Sequence, residues 1–66
     1  MATFIELTVI TYTNAKRHEE KRLFSKYHIT NIQSDERHSQ SFLTYQDKEY
    51  CVIENKTEIL NKLNSH

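Results

Sequence analysis

The stretch from Ser41 to Leu63, SFLTYQDKEYCVIENKTEILNKL, limits the folds open to this chain more than any other segment. Successive strand residues point to opposite faces, so Ser41–Gln46 and Glu49–Glu54 predict a β-hairpin with apolar groups on both sides. With Asp47-Lys48 as the turn, Gln46 faces Glu49, Tyr45 faces Tyr50, Thr44 faces Cys51, Leu43 faces Val52 and Phe42 faces Ile53. Leu43, Tyr45, Tyr50 and Val52 then share one side; Phe42, Cys51 and Ile53 share the other. Asn55 is a good N-cap and Glu58 sits at the capping-box position, which predicts a helix over 55–64. Ile59, Leu60 and Leu63 form its apolar stripe, and fraying is expected at Asn64-Ser65-His66.

Upstream, TFIELTVITYT (Thr3–Thr13) is dense in β-branched and aromatic residues and predicts a strand over 3–13. Ile5, Leu7 and Val9 lie on one face, Phe4, Ile10 and Tyr12 on the other, so cover on both sides or a bulge is expected. The polar segment NAKRHEEKR (Asn14–Arg22) fits either a long hairpin tip or a short helix capped by Asn14; the turn, over 14–21, is favoured. Short strands follow over 22–25 and 27–33, broken near Ser25-Lys26, with Ile29 and Ile32 as inward anchors. The polar run 34–40 reads as a loop. The chain has no Gly and no Pro, so Asn, Asp, Ser or Lys must make every turn. The fold class is therefore α+β and mostly β: one domain over 1–66, an antiparallel β-meander of four or five strands with one C-terminal helix.

At 66 residues the chain is near the lower limit for a core that stands alone, and such chains usually add disulfides, a metal or a partner subunit. Cys51 is the only cysteine and the four histidines, His18, His28, His38 and His66, are scattered. Oligomerisation is then the expected support. Its candidate interface is Ile5, Leu7, Val9, Phe42, Leu43, Tyr45, Tyr50, Val52 and Ile53, with a second copy as partner and a further, unidentified protein partner expected.

Charge is balanced overall, which removes the global electrostatic case for nucleic acid or a membrane surface. Locally, Lys16, Arg17, Lys21, Arg22 and Lys26 outnumber Glu19 and Glu20, while 35–58 carries an acidic excess; a solvated face explains this more simply than pairing between subunits. The same segment supplies an alternative function. Lys16, Arg17, Lys21, Arg22 and Lys26, with Phe24 and Tyr27, could combine phosphate contacts with base stacking in a small nucleic-acid-binding regulator.

Two chemical constellations are weaker. Asp35, His38, Ser39 and Ser41 share a loop, but catalytic groups need a rigid supporting shell that a polar loop seldom supplies. His18, Glu19, His28 and Cys51 lack the close pairs that let one element present two metal ligands. No catalytic site, metal or cofactor is expected. The start of the chain has no basic region before Glu6, no apolar run reaches membrane-spanning length, and a lone cysteine fits a reducing cytoplasm; no membrane insertion is expected.

The residues FIELT (Phe4–Thr8), LFSKYHITNI (Leu23–Ile32), FLTYQDKEYCVIEN (Phe42–Asn55) and EIL (Glu58–Leu60) resemble the small flagellar FlbD-type family, also called SwrD. The family commonly has Asn-Pro where this chain has Ser25-Lys26, and Gly in the turn at Gln46-Asp47-Lys48; its first turn is shorter than Asn14–Arg22. The resemblance implies a small cytoplasmic protein associated with motility and with no assigned enzymatic activity.

Overall fold

The computed structural model describes residues 3–64. Strands β1 (Phe4–Thr13), β2 (Lys16–Ser25), β3 (Ile29–Asp35), β4 (Gln40–Tyr45) and β5 (Lys48–Val52) precede one helix, α1 (Lys56–Leu63). Single 3-10 turns, Lys26–His28 and Glu36–His38, flank β3. All pairings are antiparallel, in the order β2-β1-β5-β4-β3. The expected class, an antiparallel sheet of up to five strands with a C-terminal helix, is what forms. Beyond a simple meander, β5 returns to lie beside β1.

Several boundaries differ from the sequence reading. The polar segment over 14–21 is not a turn: only Asn14-Ala15 turn, and Lys16 onwards is strand, in unbroken register from Thr13↔Lys16 to Phe4↔Ser25. Side chains from Lys16 to Leu23 are all exposed, so no burial imposes an alternating apolar pattern there. The break at Ser25-Lys26 is the first 3-10 turn, and β3 starts at Ile29. The expected loop over 34–40 holds only in its middle: Glu36–His38 form the second 3-10 turn and Ser39 follows it, while Ser34, Asp35 and Gln40 are the ends of β3 and β4. Asn55 caps α1, its Oδ1 accepting the Glu58 N–H at 2.8 Å. Asn64 ends the helix, and Ser65 and His66 lie outside the described residues.

In the C-terminal hairpin the turn is Gln46-Asp47, so Tyr45 faces Lys48, Leu43 faces Tyr50 and Phe42 faces Cys51. Moving the turn by one residue slides the pairing by two. Side-chain parity survives such a slide, and Leu43, Tyr45, Tyr50 and Val52 do share one face. The turns also depart from the expected residue set. Asn14, Ala15, Asn31, Ser39, Gln46 and Asp47 all have positive φ; Ala15 and Gln46 stand in the left-handed region where Lys, Asn, Asp or Ser was expected. Two positive-φ residues in sequence are what a two-residue hairpin loop of the primed type requires.

Ile5, Leu7, Val9, Phe24, Leu43, Val52 and Ile59 are buried together, and Ile29, Ile32, Tyr45, Tyr50 and Leu63 pack on them. This corrects the expected subunit interface. Ile5, Leu7, Val9, Leu43 and Val52 are internal, Tyr45 and Tyr50 pack on the same core, and only Phe42 and Ile53 of that set lie on the other, outer face. Three strand spacings, about 14 Å in a flat sheet, separate β2 from β4, yet the Phe24 and Tyr45 ring centroids are 4.9 Å apart. The sheet therefore curls around its inner face, and α1 adds Ile59. Fully burying a side chain of that size contributes about 1.5–3 kcal/mol.

The seam between β1 and β5 has a single paired position, Val9↔Val52. Polar groups extend it: the Ile53 N–H donates to the Thr8 carbonyl at 3.0 Å, and the Glu54 carboxylate accepts from the Thr8 N–H at 2.9 Å and the Thr8 hydroxyl at 3.1 Å. A side chain thus continues the ladder where the strand has ended.

A left-handed conformation costs a residue with a Cβ roughly 1–2 kcal/mol, and glycine's greater unfolded-state entropy offsets part of that. Ala15→Gly should therefore raise stability by about 0.5–1 kcal/mol in a chemical denaturation experiment. A loss of stability would contradict the turn geometry.

Candidate functional site

Three surface regions could carry function: the β3–β4 connection, the β1–β2 ribbon, and the outer face of the sheet. Each is set by where side-chain parity sends its residues.

At the β3–β4 connection Asp35 and Gln40 face each other across the strands, and the 3-10 turn lifts His38 back over them. Asp35 Oδ2 accepts from the His38 ring Nδ1 at 3.0 Å and from Gln40 Nε2 at 3.2 Å. Partial burial pushes the Asp35 carboxyl upwards, but the hydrogen bonds from His38 and Gln40 and the His38 charge outweigh it and hold the group below its usual range. Ser41, which the sequence places beside these residues, points the opposite way: it pairs with Ser34 and Val52 and is fully buried, its Oγ without a partner among the described residues. Ser39 is exposed and occupies the left-handed cap of the turn. Asp35, His38 and Gln40 form a clamp that fastens two strand ends, with no serine oxygen brought to the imidazole.

Beside this clamp runs an open groove of about 630 Å³, walled by Ser34, Asp35 and Gln40 on one side and Ile53, Lys56 and Leu60 on the other. Its walls come from segments nearly twenty residues apart, joined only through the β4–β5 hairpin. No local spacing in the sequence marks it.

On β2 the basic residues separate. Arg17, Glu19 and Lys21 pair with Tyr12, Ile10 and Thr8 on the outer face, while Lys16, Glu20 and Arg22 pair with Thr13, Val9 and Leu7 on the inner side. The Arg17 guanidinium meets the Glu19 carboxylate at 3.1 Å. Arg22 and Lys48 both lie over the Tyr50 ring, each 5.5 Å from its centroid. Phe24, expected as a stacking platform, is buried between the rings of Tyr45 and Tyr50, with centroids at 4.9 and 5.4 Å. It is thereby unavailable to a base. Lys26 and Tyr27 occupy the 3-10 turn, Tyr27 being 77 % exposed.

The residues weighed as zinc ligands are dispersed. His18 lies on the exposed part of β2, Glu19 engages Arg17, the His28 and Tyr45 rings meet edge to face with centroids 6.2 Å apart, and Cys51 is half-buried on the outer face. Among the described residues no group of three or more His, Cys, Asp or Glu is placed to hold a metal ion. Burial pushes the Cys51 thiol up, as do the carboxylates of Asp35 and Glu49, against an opposing pull from Arg17. Such a thiol is a weak nucleophile at neutral pH.

The outer face carries the exposed apolar groups. Leu23 faces Glu6 and lies diagonally beside Phe4, which faces Ser25. Phe4 is 55 % and Leu23 67 % exposed, and Tyr27 follows two residues after Ser25. Ile10 and Thr8, on the same face, are buried, and Phe42, Cys51 and Ile53 are half-buried. Apolar groups do lie on both faces of the hairpin, as the sequence pattern predicts, and on the outer face they are mixed with polar ones. Among the described residues no helix is long and apolar enough to cross a membrane. Comparison with protein-family models, curated proteins and solved structures finds no match to this chain.

The lowered Asp35 carboxyl fixes a sign for pH dependence. A group depressed in the folded state stabilises the fold above its unfolded value, near 4, and that contribution disappears as pH falls through the folded value. Wild type should exceed Asp35→Asn in stability at pH 7, with the gap narrowing as pH falls below about 4. A gap that stays constant across the titration would contradict the clamp.

Proposed function

We propose that this chain is a small, non-enzymatic interaction protein that acts by joining polypeptide surfaces, its own copies included. The observation that carries the reading is the pair of exposed outer-face side chains Phe4 and Leu23, diagonal neighbours across β1 and β2 that stand outside the core. Apolar groups that contribute nothing to their own core, and are contiguous on one face, are characteristic of contact surfaces. At the β3–β4 connection Asp35 joins the two strand ends through Gln40, and Ser41 is turned into the core, an arrangement that fits the same reading.

The resemblance to the flagellar FlbD type supplies a setting, an accessory role in the cytoplasm of a motile cell. In that setting, deletion of the gene would reduce swimming. The nucleic-acid alternative loses its stacking platform with Phe24 buried, and its basic residues are divided between two faces.

A photoreactive phenylalanine analogue placed at Leu23 should give discrete cross-linked adducts, with a second copy or another polypeptide, in extracts of the native cell. Phe4→Ser in the same protein should reduce them by about tenfold, while its melting temperature stays within a few degrees because Phe4 is already exposed. The same analogue at the exposed Asn61 of α1 should give none. Equal adduct yields from Leu23 and Asn61 would remove the reading.

A further inference from the structure

We propose that the exposed half of β2 is a self-association edge, on which a second copy of this chain pairs antiparallel with Arg17 opposite Glu19 and Lys16 opposite Glu20. The inference deepens the interaction reading above and rests on it.

Backbone geometry comes first. Thr8 directs its carbonyl and N–H towards Ile53 and Glu54. Backbone groups alternate sides along a strand, so Leu7, Val9 and Thr11 face β2 and their partners Arg22, Glu20 and His18 face back. Arg17, Glu19, Lys21 and Leu23 consequently point their N–H and C=O groups away from β1, where the sheet order places no further strand. The adjacent Ser25 N–H is already taken by the Tyr45 hydroxyl at 3.0 Å. That closes the end of the edge nearest the core.

The rest stands open. Residues Thr11–Thr13 and Lys16–Leu23 are all exposed, forming a two-stranded ribbon that stands out from the core of a molecule 39 Å long and about 20 Å across. A two-stranded hairpin alone is marginally stable, and further strands are needed to secure it. The opposite edge of the sheet is different. The β3–β4 ladder is interrupted between Thr30 and Gln33, with Asn31 at positive φ, and such irregularities obstruct edge pairing. β2 carries no such interruption.

Charge then selects the register. In a twofold antiparallel pair, outward-pointing residues must face outward-pointing residues. Glu19 opposite itself would also set Arg17 against Lys21 and Lys16 against Arg22, all like charges. Glu20 opposite itself, one step further along, gains two Glu19–Lys21 oppositions but sets two carboxylates against each other at the closest approach. Arg17 opposite itself puts two guanidinium groups together. Setting His18 on the axis instead creates two Arg17–Glu19 and two Lys16–Glu20 oppositions and no like-charged one. Opposite charges directly across a sheet attract and like charges repel. Of these four arrangements, the run Lys-Arg-His-Glu-Glu is self-complementary only in this one.

Sedimentation equilibrium on the full chain tests the edge. Wild type should dimerise. Glu19→Pro removes an outward N–H that β1 does not use, a change edge strands tolerate, and should give a monomer with an unchanged circular dichroism spectrum. Arg17→Glu, which keeps the backbone intact, should weaken the dimer by about tenfold or more. The swap Arg17→Glu with Glu19→Arg should restore it. A dimer insensitive to both single substitutions overturns the edge while leaving the interaction reading in place. Loss in Arg17→Glu without recovery in the swap overturns the register. A wild type that remains monomeric at about 100 μM overturns this proposal and the self-association within the broader reading together.

Discussion

The Phe24 ring, held edge-on against Tyr45 and Tyr50, is the contact on which the rest of this structure depends. It joins residues from strands that are not neighbours and so converts an open sheet into a curled one. Such aromatic pairs contribute about 0.5–1.5 kcal/mol beyond their buried area. The Tyr45 hydroxyl oxygen also accepts a hydrogen bond from the Ser25 N–H, tying the end of β2 to β4. With the sheet bent, Ile5, Leu7, Val9, Leu43 and Val52 point at one another and at Ile59, and a 66-residue chain encloses a core without a disulfide.

This closure sets what the surface can do. The inner face is used up, so association has to draw on the outer face and the edges. Phe4, Leu23 and Tyr27 are left exposed, as are the charged side chains along β2. The β1–β2 ribbon meets the rest of the sheet along a seam where β5 pairs with β1 at one position and Glu54 completes the ladder. Function by contact is the reading we propose for such a surface.

Much of the fold was legible in the residues. Alternation in FLTY and EYCV assigned the hairpin faces correctly, and Asn55 with Glu58 marked the helix start. The hairpin register slipped because Gln46-Asp47 makes the turn without glycine, so the sequence lacked the usual marker of a primed loop. β2 was missed for a related reason: Asn14-Ala15 is an unusual turn pair, and an exposed ribbon obeys no apolar period. The curl could not be read at all, since the meeting of Phe24 with Tyr45 depends on strand order and not on any local pattern. That omission misdirected the expected interface, turning core residues into candidate contacts. The groove between Asp35 and Leu60 was equally hidden, its walls being assembled only when the hairpin folds back.

Closure of the core within one chain is open to nuclear Overhauser spectroscopy on a mixture of isotopically labelled and unlabelled protein. The Phe24 and Tyr45 ring protons should give strong cross-peaks within a single labelled chain, as a 4.9 Å centroid separation requires. A flat sheet would hold those rings roughly 14 Å apart. Absence of the cross-peaks, or their appearance only between labelled and unlabelled chains, would contradict the account.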